Sequence, residues 1–336
     1  MKESVGLVLY AITAGTLGAA ALRRARWPAH APRLGVIAWQ VLSTSILIAL
    51  LLGGLMLVAP VDGLSARLAD ILHACAMALR AQYATPGGAV LHGTGVAAVF
   101  SLVTWTAYLL VTGLRDAQRA SAHHLAGLQL VAHRDANLDA LIVDHPAAAA
   151  YCLPGRNRTI VLTSAAVAAL SQQELEAVLA HEQAHLQGRH HLVAATAAAL
   201  ARAVPFPPGL RWARTEQSRL LEMIADDAAA AGGARLLVAR ALITLGGVGV
   251  PAAALGAADV SAAARVERLL TPAHHLGRCR RLLIASMLGA VVLAPFAIAS
   301  APAVVAAGLR YCPIPVTTSV VVVSRGEEQD VRSPGW

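Results

Sequence analysis

Residues 174–191 read ELEAVLAHEQAHLQGRHH, and within them His181, Glu182 and His185 spell H-E-x-x-H. Four residues make roughly one helical turn, so both imidazoles leave the same face of a helix and can hold one Zn²⁺. Glu182 stands one residue round from His181, where its carboxylate can take a proton from an attacking water without binding the metal. The flanks predict that helix. Ser171 is an N-cap with Glu174 three residues on, and Leu175, Val178 and Leu179 form an apolar stripe.

Catalytic zinc takes three protein ligands and leaves one position open. Two residues compete for the third place. His191 completes the longer pattern H-E-x-x-H-x-x-G-x-x-H with Gly188. Glu222, in LLEMIADDAAA, has Asp226 one turn later on the same helix face. On an unbroken helix His191 stands about 15 Å along the axis from His181 and faces elsewhere. RHHLVAATAAAL reads as such a continuing helix. Glu222 on a separate helix can approach the pair freely, and Asp226 can then hold a ligating imidazole from behind. The spacing favours Glu222 and leaves His190 and His191 as basic surface or interfacial residues.

The block from about residue 120 to 270 resembles the peptidase domain of the M56 family, known for the BlaR/MecR β-lactam sensor-transducers. The matching pieces are YCLPGRNRTIVLTSAAV, ELEAVLAHEQAHLQGRHH, the E-x-x-A-D core of Glu222, Ala225 and Asp226, and ARVERLL. The resemblance implies zinc on His181, His185 and Glu222, with Glu182 as catalytic base. HtpX-like and CAAX-protease-like families share the same motif logic. The sensor half of the M56 pattern is not matched. A penicillin-binding module needs S-x-x-K, and Lys2 is the only lysine.

With 57% hydrophobic and 14% charged residues, the composition departs from that of an ordinary soluble domain. Mean hydropathy is +0.60, and the apolar excess is gathered in runs, which points to membrane spans. The net charge of +8 rests almost wholly on dispersed arginines, and only 4% of residues are aromatic. Stacking platforms for nucleic acid are not expected; contact with anionic lipid is. Four spans are expected, at 5–22, 34–59, 93–114 and 282–309. A cleaved signal peptide is the rival for the first, but Arg23, Arg24 and Arg26 follow the apolar run instead of preceding it. Cationic loops at 23–33 and at both ends of 115–281 fall on one side. The positive-inside rule then puts both termini outside and the zinc motif in the cytoplasm, and the resemblance makes the membrane a bacterial inner one.

The fold expected is therefore mainly α: a four-span membrane helix bundle (residues 1–114 and 282–309) with a cytoplasmic α+β zincin-like metallopeptidase domain (115–281) and a short outer tail (310–336). Residues 61–91 suggest an outer amphipathic helix. Cys75 and Cys312, both on the outer side, are placed for a disulfide. Ala241 to Ala258 reads as core helix plus loop. Short strand-like runs at 128–131, 140–143, 149–153 and 159–163 supply a small sheet. The resemblance puts Ala149–Leu153 at the edge where an extended substrate adds as a strand, which makes Tyr151 and Cys152 substrate-groove candidates. Arg265, His274 and His275 are weak oxyanion candidates, and Leu192–Pro208 is expected to lie against the membrane. The activity expected is zinc-dependent hydrolysis of a protein substrate, by family analogy a transcriptional repressor. Membrane-protein quality control, and a catalytically inactive scaffold, are the alternatives.

Overall fold

The computed structural model describes residues 2–58, 88–155, 158–247, 257–271 and 276–309. The outer helix expected from residue 61 lies, up to residue 87, outside the described residues. So do Cys75, Cys312, His274, His275 and the tail from residue 310.

The long apolar runs become long helices. α1 (Lys2–Thr13) continues through a π-helical turn at Ala14–Gly18 into α2 (Ala19–Arg24), and a single turn, α3 (Trp27–His30), leads to α4 (Pro32–Val58). α5 covers Gly88–Leu128. Among the described residues, four helical stretches are long and apolar enough to cross a membrane: Lys2–Arg24, Pro32–Leu57, Gly93–Leu128 and Arg278–Ala301. The third overruns its expected end at Leu114 by a stalk. RDAQRASAHHL, residues 115–125, contains no glycine or proline to stop a helix.

The last long helix, Arg278–Leu309, contains Pro295, which has no N–H to offer the carbonyl of Val291. Hydroxyls from two other helices serve that carbonyl instead. Tyr10 Oη lies 2.9 Å and Ser45 Oγ 2.8 Å from Val291 O, and 2.6 Å from each other. In an apolar layer without water, such a three-helix polar clasp fixes how the helices sit on one another.

Past α5 come four strands, β1 (Ala132–Asp135), β2 (Ala140–Val143), β3 (Ala150–Leu153) and β4 (Thr159–Thr163), in sheet order β1-β2-β4-β3. β2 and β4 are parallel, and the other two pairs are antiparallel. β1 starts four residues later than the sequence suggests, because α5 absorbs Leu128 and the chain turns at Gln129–Val131. β3 is an edge strand, with Tyr151 opposite Val161 and Cys152 opposite Ile160. Alternation splits its side chains. Ala150 and Cys152 pack with Leu175, Val178 and Leu186, whereas Tyr151 and Leu153 join Leu125, Leu128 and Val161.

After α6 (Ser164–Ala169) the helices that form the site follow: α7 (Gln172–Gln187), α8 (His190–Ala203) and α9 (Pro208–Ala229). α10 (Arg235–Gly247) takes in the first part of the run expected as core helix, with Ala241 buried; residues 248–256 lie outside the described ones. α11 (Ala257–Leu270) and α12 (Arg278–Leu309) complete the chain. α7 starts on the capping box that its sequence predicts, with Ser171 Oγ accepting from the Glu174 N–H and Glu174 Oε2 accepting from the Ser171 N–H at 2.9 Å. α8 packs on α5, where Arg202 Nη2 donates to Leu109 O at 3.2 Å.

α9 takes part in two cores: Ala229 at its end is buried with Ala177 of α7, and most of its length lies in another. Its Leu210, Ala213, Leu220 and Met223 are buried with Leu7, Val36, Trp39 and Leu42 of α1 and α4. The contact is closest at Gly209, where an added Cβ would collide with the Gly15 carbonyl oxygen and stand 2.5 Å from Ala19 Cβ. No side chain fits there.

Candidate metal centre

One face of α7 and one face of α9 meet over three side chains. Nε2 of His181 and Nε2 of His185 lie 3.2 Å apart, and the Glu222 carboxylate stands 3.5 Å from each. One ligand atom from each of the three fits inside a 4.8 Å set. Two imidazole nitrogens and one carboxylate form the donor set of a catalytic zinc site with a position left open, so the residues present fit Zn²⁺.

The far nitrogens are engaged as well. Nδ1 of His181 is 3.1 Å from Oδ1 of Asp226, which is fully buried. Asp226 is itself gripped by Arg265 of α11 through Nε at 2.8 Å and Nη2 at 2.6 Å, and Nη1 of the same guanidinium reaches Glu222 Oε2 at 3.0 Å. Arg265 thus ties two carboxylates one helical turn apart, and the pair neutralises its buried charge. The sequence offered Arg265 only as a weak oxyanion candidate. An arginine set between AAA and V was the available signal.

Nδ1 of His185 is 2.9 Å from Nδ1 of His190. This corrects two expectations together. The helix does not continue through RHHLVAAT, because Arg189 takes left-handed backbone angles (φ 49, ψ 41) between α7 and α8. His190 is not a surface residue; it is buried against His185. Gly188 allows this, since a Cβ there would stand 2.5 Å from His190 Nε2. The glycine that suggested a route for His191 in fact makes room for His190. For His185 Nε2 to stay open, its Nδ1–H donates and His190 Nδ1 accepts.

Glu182 faces Cys152 of β3. Burial raises the Glu182 pKa, and the His181 charge works against that rise. Burial first, and then the Glu182 charge, push the Cys152 thiol up to about 12, so it stays a neutral thiol beside the carboxylate. Burial opposes a charged His181, yet hydrogen bonds to Asp226 and Glu222 lift its pKa to about 9, while burial pushes His185 down to about 4. Tyr151, the other groove candidate, is on the opposite face of β3 with its hydroxyl 2.8 Å from His124 Nε2. The structure does not bring it to the cluster; His191 lines the same cleft as His185 and Glu222 without joining the three donors.

With this geometry in place, comparison with known families becomes informative. Residues 116–274 match the model of Peptidase family M48. The M48 match takes in the sheet, α7 to α9 and α11, somewhat under half of the chain. Comparison with curated proteins and with solved structures gives no match.

Proposed function

We propose that the chain is a membrane-embedded zinc endopeptidase whose metal is held by His181 Nε2, His185 Nε2 and the Glu222 carboxylate. The observation that carries this reading is the 4.8 Å cluster of those three donors beside Glu182, on a segment that matches a peptidase family. Zinc, when bound, supplies Lewis-acid polarisation of the scissile carbonyl and raises the acidity of the attacking water. Glu182 takes a proton from that water on a carboxylate oxygen and returns it to the leaving amide nitrogen. Its burial keeps its pKa above the usual carboxylate value, which suits both halves of the transfer. Asp226 accepts from His181 Nδ1–H and so holds the ring with Nε2 toward the metal, and Arg265 holds Asp226 and Glu222 in place. An extended substrate adds to the free edge of β3, next to Cys152.

The peptidase domain is read as cytoplasmic at a bacterial inner membrane, with both chain ends outside, because the arginine-rich loops fall on its side of the four spans. The substrate is then a cytoplasmic or membrane protein. The M48 match favours quality-control proteolysis of the HtpX-like kind. One observation favours a signalled, M56-type cleavage of a repressor as the second reading: the helix that carries Glu222 is packed directly on α1 and α4.

Metal analysis and proteolysis of paired variants test the proposal. Glu182→Gln keeps stoichiometric zinc and loses at least about a hundredfold in turnover, whereas Glu222→Ala loses zinc. Full proteolysis by Glu182→Gln, or undiminished zinc in Glu222→Ala, defeats it.

A further inference from the structure

The cleft at the donor cluster borders a larger space. A cavity of about 250 Å³ holds Cys152, His185 and Glu222, and its walls at Pro154, Leu186 and His191 are also walls of a second cavity of about 680 Å³. That second space lies between the stalk of α5, the end of β3 and the corner where α7 turns into α8.

Its chemistry is one-sided. Leucines from α5, β3 and α7 supply apolar walls, and the ionisable groups among the described lining residues are Arg158, Arg189 and His191, with no carboxylate. Among the described residues neither arginine has an ion-pair partner. The two charges act on the third group: burial, then Arg158 and Arg189, hold His191 below its usual pKa. Like charges gathered on a half-enclosed apolar space repel one another, and an anionic occupant relieves that repulsion.

We propose that this cavity is a specificity subsite for an acidic side chain of the polypeptide substrate. The inference rests on the endopeptidase reading above. A polypeptide is the occupant, because the cavity adjoins the cleft at the end of β3 and shares Pro154, Leu186 and His191 with it. Cys152 is beside Glu182 and Pro154 is already in the shared wall, two residues on. At about 3.3 Å per residue a strand added to that edge enters the cavity about two to four residues from the scissile bond. The leucine walls carry the neighbouring apolar side chain, and Arg158 and Arg189 receive the carboxylate.

The test uses the full-length, zinc-loaded protein in detergent with a randomised decapeptide mixture, the cut sites being read by mass spectrometry. The expected result is enrichment of Asp and Glu at one position within about four residues of the cut. Arg158→Glu with Arg189→Glu moves that preference to Lys and Arg and leaves cleavage of peptides neutral at that position unchanged. An identical cut profile from the two proteins overturns the subsite. If the protein cuts no better than Glu182→Gln, the endopeptidase reading is what fails, and binding decides the cavity. Fluorescein-labelled twin decapeptides carrying Glu or Gln are then titrated by anisotropy. A preference for the Glu twin of about tenfold, lost in the double variant, supports the subsite. Equal binding of the twins overturns it. If soluble glycerophosphoglycerol then binds only the unmodified protein, the site belongs to a lipid headgroup instead.

Discussion

α7 and α9 each bring residues to one cluster, but they are anchored in different materials. α7 lies on the sheet, with Leu175, Val178 and Leu186 against Ile160 and Leu162. α9 lies on the long apolar helices, with Leu210, Leu220 and Met223 against Leu7, Val36 and Trp39. The histidine pair is therefore fixed by a water-soluble type of core, and Glu222 by the packing of helices that can cross a membrane. The donor set is complete only while two helices with largely different backing stay in register, and Ala177 of α7 with Ala229 of α9 is the small core that joins them. At the site the tie is His181 Nδ1 to Asp226, with Arg265 of α11 bracing Asp226 and Glu222 on the α9 side.

The strongest way to break the comparison is at the tie itself. Asp226→Ala leaves the Arg265 guanidinium buried without its bidentate partner and is expected to cost about 3–5 kcal/mol. Denaturation of the detergent-solubilised protein measures this, and a loss under about 1 kcal/mol would mean that the network does not join the two halves. Next comes a wedge between α9 and the long helices. Gly209→Val collides with Gly15 and Ala19, so α9 shifts and Glu222 withdraws from an unmoved histidine pair. Zinc affinity is expected to fall about 10- to 100-fold with α7 intact, as read by competition with a chelator. His190→Phe probes the other half by removing the acceptor of His185 Nδ1. About a tenfold loss of zinc affinity is expected, with rescue by His190→Asn.

Two smaller effects sharpen the contrast. Tyr10→Phe with Ser45→Ala strips the donors from Val291 O and is expected to cost about 1–2 kcal/mol of thermal stability without changing zinc affinity. Glu174→Ala removes the reciprocal half of the α7 capping box and costs about 1 kcal/mol at neutral pH. The hydrogen bond from the Ser171 backbone N–H lowers the folded-state pKa of Glu174 below its unfolded value. Its stabilisation is therefore complete above the unfolded value and fades as pH falls through the lowered one. Wild type and variant should converge in stability in that acidic window.

Local periodicity made much of this legible before any coordinates. The capping box, the shared face of His181 and His185, and three of four strands to within a residue follow from local chemistry. Glu222 from a separate helix, with Asp226 behind it, was preferred over His191 on the premise of an unbroken helix, which the break at Arg189 removes. What was missed depends on contacts distant in sequence. No local pattern tells that Gly188 lacks a side chain for the sake of His190, or that Arg265 closes over Asp226 from 39 residues away. The assignment of α9 to the core of α1 and α4 was equally out of reach, since an apolar stripe does not name its partner. β1 was misplaced because an apolar Leu128–Val131 satisfies a helix end as well as a strand.

α5 has one more consequence. Its 41 residues run roughly 60 Å at 1.5 Å each, about twice the hydrocarbon thickness of a bilayer. The overrun is a ruler. It sets a stand-off of roughly 20 Å within which Gln118, Ser121 and Leu125 border the arginine-rimmed cavity. On the membrane-endopeptidase reading proposed above, polypeptide tethered in the same lipid sheet would have only that short gap to bridge, and substrates would be selected by the distance between their cleavable stretch and their anchor.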